Sequence, residues 1–397
     1  MIQLSDRLLA MEESATLAMS RKSRELKAEG HDVISLSIGE PDFNTPNFIK
    51  QAAVEAMEQN YTKYTPVPGF EELRQAISDK FKRDNDLNYE LDQIVVSTGA
   101  KQSIANVMMS IINPGDEVLI PAPYWVSYIE IIKVAGGVPV IVESSIESDF
   151  KVNGDAVQEK ITDKTKAIIF SSPCNPTGSS YSKEELKDLA STLSQHKQIA
   201  ILSDEIYEHI NFKGKHESIA QFEEVYDQTV TINGMSKAWA MTGWRIGYIG
   251  APKKIAAACT KVQGQFTSGA NAIAQRASIA GLKKDPVFLD DMLKAFKNRR
   301  ALVLKALQDM EGVQVNEPEG AFYFFPNFSN YFGKSVNGKV IKNATDLSLY
   351  LLEEALVAVV TGDAFGNPNC IRISYAADEK TLTEAMNRIG KALKNIK

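Results

Sequence analysis

Short β-branched runs recur along the first two-thirds of this chain, and helical stretches separate them. "QIVVS", "DEVLIP", "VPVIVE", "KAIIFSS", "AILSDEIY" and "TVTING" follow one another between residues 93 and 234. Each is flanked by turn residues or by helical spacing, as in "FEELRQAISDKFKRDN" and "KQSIANVMMSII". Strands joined through helices pair in parallel, because a parallel crossover needs a helix-length connection. The pattern predicts an α/β fold: a mostly parallel sheet covered by helices on both faces.

At 397 residues the chain is too long for one core. Past residue 285 the texture changes. "PVFLDDMLKAFKNRRALVLKALQDMEG" reads as one long amphipathic helix ended by Gly312, and "GAFYFFPNF", "TDLSLYLLEEAL" and "CIRISYA" follow. The expected division is a large domain over 46–285 and a smaller α+β domain over 286–397. Residues 1–45 show no strand–helix unit of their own and are expected to pack on the small domain.

Composition narrows the function classes. A net charge of −6 argues against a nucleic-acid or anionic-membrane surface. Cys174, Cys259 and Cys370 are far apart, and the four histidines are scattered, so neither a disulfide framework nor a metal site is expected. The first residues carry acids inside their apolar pattern, unlike a signal peptide. No stretch approaches the roughly 18 apolar residues of a membrane span. The compartment these features imply is the cytoplasm.

"STGAKQ" links a strand to a helix through small residues. The turn is either an anion cradle, with bare amides at the positive end of a helix dipole, or a plain capped helix start. "KAIIFSSPCNPTG" leads to Asn175 and Pro176, and Pro176 is a candidate for a cis bond. "AILSDEIYEHI" leads to Asp204 and Tyr207. Ligands in open α/β sheets sit beyond such strand ends, although an N-cap would also explain the aspartate.

"GMSKAWAMTGWRIGY" places Lys237 eight residues before Arg245, with small, apolar or aromatic residues between. An ordinary lysine titrates near about 10.4 and is a poor nucleophile at neutral pH. A dry setting and nearby cations lower that value and free the amine for imine chemistry. Arginine stays charged and grips phosphate with two parallel bonds. A lysine amine, an arginine, an amide cradle, a strand-end acid, an asparagine and a tyrosine are the parts that hold pyridoxal phosphate.

With "SLSIGEPDF", "YTKYTPVPG", "PAPYWVSY", "SPCNPTG", "SDEIY", "SKAWAMTGWRIGY", "GAFY" and "IRIS" in this order, the chain resembles the fold-type I, class I pyridoxal-phosphate aminotransferases nearly end to end. Within them it is most similar to the bacterial aspartate aminotransferase subgroup. The resemblance implies a seven-stranded sheet in the large domain. It implies Lys237 as the residue that bonds the cofactor and later shuttles the proton, and Asp204 as the partner of the pyridine nitrogen. Asn175 and Tyr207 would hydrogen-bond the phenolic oxygen, and Trp125 would stack on the ring. Gly99, Ala100 and Lys101, with Ser236 and Arg245, would hold the phosphate. Arg372 would clamp the substrate α-carboxylate, helped by Asn175 and Gly39. Tyr64 would reach the phosphate of a neighbouring subunit, which implies a homodimer with shared sites.

The same resemblance places Lys101, Ser14 and Thr16 at the distal carboxylate of a dicarboxylic amino acid. The expected reaction is ping-pong transfer of an amino group from L-aspartate to 2-oxoglutarate. Alternatives are a broader aminotransferase (aromatic, alanine or prephenate type) and a lyase acting at Cβ or Cγ. A regulator's effector domain would need a DNA-binding segment ahead of motifs that here begin within the first 45 residues. Glu12 adds no cation to the pocket segment, so no strong preference for prephenate's amino product is expected. The chain departs from the family at Thr361, where proline is frequent. Trp239, Trp244, His209 and the cysteines read as structural.

Overall fold

The structure, a computed structural model, describes residues 2–9, 11 and 13–397. Among these residues the central element is a sheet of seven strands. Their spatial order is Ile94–Ser97, Gly247–Gly250, Thr229–Gly234, Ala200–Asp204, Thr165–Ser171, Glu117–Pro121 and Val138–Val142. Neighbours pair in parallel except at Gly247–Gly250, which runs against both of its neighbours. All six apolar runs are strands. The seventh, "GYIG", is half glycine and does not stand out as an apolar run.

Burial on both faces explains why the parallel strands read as continuous apolar runs. In Thr165–Ser171, Ile168 packs with Leu186, Leu189 and Ile201, whereas Ile169 packs with Ile104, Val118 and Leu202 in a separate cluster. Successive side chains point to opposite faces, so each face needs its own helices. Ala100–Ile111, Ser127–Ala135 and Lys253–Phe266 contribute to one cluster, and Lys183–Leu193 to the other.

Toward the C-terminus, the expected helix from Pro286 begins as a 3-10 turn, Pro286–Leu289, capped by the Asp285 side chain. It becomes α-helical over Asp290–Gln308 and is closed off before Gly312, whose φ is +78°. Helices Ala344–Glu354 and Glu379–Leu393 follow, with an antiparallel sheet ordered Val360–Thr361, Ile371–Ser374, Tyr323–Phe324. The N-terminal stretch does hold a helix, Ala15–Ala28, and a two-residue strand, Ile34–Ser35. That strand pairs in parallel with Val357–Ala358, and Met19 and Val33 share an apolar cluster with Leu352 and Ala358. Two residues are too few for a periodic signal; a partner over 300 residues away makes them a strand. The cis peptides are Ala122-Pro123 and Ser172-Pro173, so the candidate bond at Pro176 is trans.

The strands ending at Ser97, Pro121, Ser171, Asp204 and Gly234 all run the same way. Their following turns carry Gly99, Trp125, Asn175, Tyr207 and Lys237.

Candidate active site

The turn after Ile94–Ser97 is built by close approach. Gly99 has φ +85°, and a Cβ there would collide with the Arg245 guanidinium. A Cβ on Gly247 would collide with the amide nitrogen of Ala100. Two glycines therefore let a helix start and a guanidinium share one small space. The amides of Gln102 and Ser103 turn back to the Gly99 carbonyl, at 3.0 and 3.3 Å. Those of Ala100 and Lys101 lie in the first turn, where the helix itself offers no acceptor. Arg245 is left-handed, φ +59°, a conformation costing a non-glycine residue about 1–2 kcal/mol. Its Nη1 donates to the Thr242 carbonyl at 2.8 Å.

Asp204 closes the strand Ala200–Asp204 and is 5% exposed. Burial pushes its carboxyl up to about 6, against a hydrogen bond from the Tyr128 hydroxyl to Oδ2 at 2.7 Å. The Ile206 amide donates to Oδ1 at 3.3 Å. Tyr207 exchanges a hydrogen bond with the Tyr323 hydroxyl at 2.7 Å.

Lys237 lies in the loop that leads from Thr229–Gly234 into the antiparallel strand Gly247–Gly250. Met235, Ala238, Trp239, Met241 and Ile246 of that loop are all buried, which is why the stretch reads as dry. The Trp239 indole donates to the Gly281 carbonyl at 3.3 Å and the Trp244 indole to Thr45 Oγ1 at 3.1 Å, so both tryptophans are packing groups. Burial, then the Arg372 charge, bring the Lys237 amine down to about 8. Its Nζ donates to the Gly39 carbonyl at 2.6 Å.

Arg372, on Ile371–Ser374, is 2% exposed. Its Nη1 donates to Asn175 Oδ1 at 3.0 Å and its Nη2 to the Ser37 carbonyl at 2.6 Å. Its buried Nε has no partner among the described residues. The rings of Tyr323 and Phe365 lie 4.8 and 4.9 Å from the guanidinium carbon. A buried guanidinium with a spare donor, steered by an amide, is a receptor for a carboxylate.

These groups converge on one cavity of about 360 Å³. Ser14, Thr16, Gly39, Ala100, Lys101, Trp125, Asn175, Asp204, Tyr207, Ser236, Lys237, Arg245 and Arg372 line it. Gly99 stands behind Arg245 rather than on the wall. Tyr64 is 99% exposed and does not line the cavity of its own chain. Lys101 lies over the Trp125 ring, 4.9 Å from its centroid. Glu12 lies outside the described residues. Tyr128, Tyr323 and Glu40 also line the cavity without having been singled out. Glu40 accepts a hydrogen bond from the Thr242 hydroxyl. All three stand in quoted motifs, "PYWVSY", "GAFY" and "SIGEPDF", but only the fold shows what their polar ends touch.

A lysine amine brought toward neutrality, a buried acid and a helix start backed by a guanidinium match the aldehyde, pyridine nitrogen and phosphate of pyridoxal phosphate. Fold and cavity together define a pyridoxal-phosphate enzyme. The chain belongs to the class I and II aminotransferases, whose family model matches residues 31–389. A bifunctional aspartate aminotransferase and glutamate/aspartate-prephenate aminotransferase of Petunia hybrida is 47% identical over 401 residues, covering 100% of this chain and 84% of that protein. A probable aspartate/prephenate aminotransferase of Rhizobium leguminosarum is 47% identical, covering 97% of each. Among solved structures, an aspartate aminotransferase from Rhizobium meliloti superposes with a TM-score of 0.97 at 42% identity over 100% of both chains. That from Thermus thermophilus with maleate gives 0.93 at 39% identity, over 99% of this chain and 100% of the other. Among the described residues no helix is long and apolar enough to cross a membrane.

Proposed function

We propose that this aminotransferase moves the amino group of L-aspartate onto 2-oxoglutarate, releasing oxaloacetate and L-glutamate. The charge of the cavity carries this reading. Among the described residues, Lys101, Lys237, Arg245 and Arg372 face two carboxylates there, Asp204 and Glu40. Arg245 would meet the phosphate, Arg372 the α-carboxylate and Lys101 a second carboxylate, so a monocarboxylic substrate would leave Lys101 unpaired. Relatives named as aspartate aminotransferases support the same choice.

Bound pyridoxal phosphate supplies an aldehyde that bonds amines and a ring that draws electrons from the neighbouring carbon. The chain's own residues would do the rest. Ser236, Arg245 and the amides of Ala100 and Lys101 would hold the phosphate; the Gly99 amide, expected to join them, donates instead to the Ser97 carbonyl at 2.8 Å, and Gly99 shapes the turn. Trp125 lies against the ring. Asp204, oriented by Tyr128, keeps a proton on the ring nitrogen. Asn175 and Tyr207 hold the phenolic oxygen. Arg372 takes the substrate α-carboxylate, with Asn175 fixing its plane and the Gly39 backbone assisting. Lys101, Ser14 and Thr16 take the distal carboxylate. Lys237 then moves the proton between the substrate Cα and the cofactor's C4′, and an amine near about 8 is partly neutral at physiological pH. Two half-reactions through one site make the kinetics ping-pong.

The chain works as a cytoplasmic homodimer in this reading, with Tyr64 of each protomer reaching its neighbour's phosphate. Its division is 1–45 with the small domain, 46–285 as the cofactor domain and 286–397 as the small domain. Aspartate and 2-oxoglutarate mixed with the enzyme should give oxaloacetate and glutamate. Ammonia and pyruvate instead would indicate a lyase. A second reading, a prephenate acceptor, is favoured by the names of several relatives. It is separated by replacing 2-oxoglutarate with prephenate under the same assay.

A further inference from the structure

The residues that follow Asp204 and Tyr207 are glutamates. Neither Glu205 nor Glu208 lines the cavity, yet they are only 0% and 4% exposed. The turn thus has two faces: 204 and 207 toward the cavity, 205 and 208 into a buried charge cluster. Glu205 accepts from the hydroxyls of Ser203 at 2.8 Å and Ser218 at 2.6 Å, and its second oxygen pairs with His216 Nε2 at 3.0 Å. Glu208 pairs with the ammonium of Lys80, accepts from Asn85 Nδ2 at 2.8 Å and lies 3.2 Å from His209 Nε2. Lys80 is fully buried at the end of Glu71–Lys80, and His216 is 8% exposed. Ligand atoms of Glu205, Glu208 and His216 lie within 4.8 Å of one another, a spacing suited to a metal. The Lys80 ammonium already supplies a cation at Glu208.

Buried ion pairs are a weak source of stability, because desolvation offsets most of the attraction and apolar replacements are often as stable. A positional use accounts better for this placement. The Glu208 amide bonds the Glu205 carbonyl at 2.9 Å, and the Ile210 amide bonds the Tyr207 carbonyl at 2.8 Å, so the glutamates and the cavity residues move as one turn. Glu205 also raises the proton affinity of the adjoining Asp204. We propose that the Lys80–Glu208 and His216–Glu205 pairs are a positioning device that fixes Asp204 and Tyr207 from behind and sets the charge beside Asp204. The proposal rests on the assignment of those two residues to the cofactor site. With His216 protonated, two cations balance two carboxylates. Burial works against that proton and Glu205 favours it; the net direction is upward. Asp84, 3.6 Å from His209 and paired with the Arg83 guanidinium, and the buried hydroxyls of Tyr89 and Tyr248 also face the cluster.

The test titrates the visible absorbance of the lysine-bound cofactor against pH in the holoenzyme. Removing a cation should favour the protonated link and raise the midpoint; removing an anion should lower it. His216→Gln and Lys80→Met are expected to shift it upward, and Glu205→Gln and Glu208→Gln downward, each by about half a pH unit or more. Glu205→Asp keeps the charge and should stay with the parent. Two variants of each sign exist, so one that fails to fold leaves the comparison intact. A purely structural cluster would lower the melting temperature and leave the midpoints unchanged. Unchanged midpoints, or shifts of one sign throughout, overturn the proposal. A parent enzyme with no visible band would instead overturn the site assignment beneath it.

Discussion

Replacing Tyr128 by phenylalanine removes one hydroxyl and leaves the ring's volume in place. That hydroxyl is the shorter of two donors to Asp204, at 2.7 Å against 3.3 Å for the Ile206 amide, and both Tyr128 and Asp204 are buried. A hydrogen bond to a charged group contributes ~1.5–3 kcal/mol. At 1.36 kcal/mol per pH unit, its loss would raise the Asp204 titration by ~1–2 units. In the parent, that carboxyl already stands at about 6. The sign follows from its role: the carboxylate form binds the protonated ring nitrogen, so cofactor affinity falls as pH drops through the Asp204 titration. In the parent the fall should come below about pH 6. In Tyr128→Phe it should come one to two units higher, with affinity at pH 7 weakened by about two- to tenfold. The assay is pyridoxal phosphate binding to apoprotein across pH, read by fluorescence quenching. Superimposable curves for parent and variant would refute the reasoning.

Arg372→Ala should raise KM for every amino donor and lower kcat/KM by about 30-fold or more, the scale of a buried charged partner lost; unchanged KM values would remove its carboxylate role. Lys101→Ala should lower kcat/KM for aspartate about tenfold more than for alanine, since only aspartate brings a second carboxylate. Equal losses would confine Lys101 to the phosphate. Gly99→Ala should weaken cofactor binding more than it lowers the melting temperature, because the new methyl meets the Arg245 guanidinium and strains a φ of +85°. Equilibrium dialysis and a thermal melt separate the two.

The six strands that carry their signal in β-branched and apolar runs were legible, because the inner strands are buried on both faces and fill most positions with Val, Ile, Leu or Ala, the buried Thr229, Thr231 and Asn233 being exceptions. Gly247–Gly250 was not. Gly247 admits the close approach of the Ala100 amide and Gly250 that of the Tyr89 ring, both nearly 150 residues or more away in the chain. Asp204, Lys237 and Arg245 could be read as a cofactor set from residue type and order. Tyr128 could not, since its hydroxyl finds Asp204 across 76 positions. The histidines mislead in sequence for the same reason. His209 and His216 look scattered, yet the fold brings both to the glutamates behind the Asp204 turn. Specificity was least legible: Ser14, Thr16 and Lys101 are ordinary surface residue types until the N-terminal helix and the phosphate turn meet at one cavity.

The central claim is that residue 237 carries the cofactor on an amine that burial has brought down to about 8. Borohydride reduction of the protein with pyridoxal phosphate, followed by peptide mass spectrometry, tests it directly. The added mass should fall on the peptide containing Lys237 and vanish in Lys237→Ala. A label on another lysine, or none in a folded preparation given the cofactor, would contradict the account.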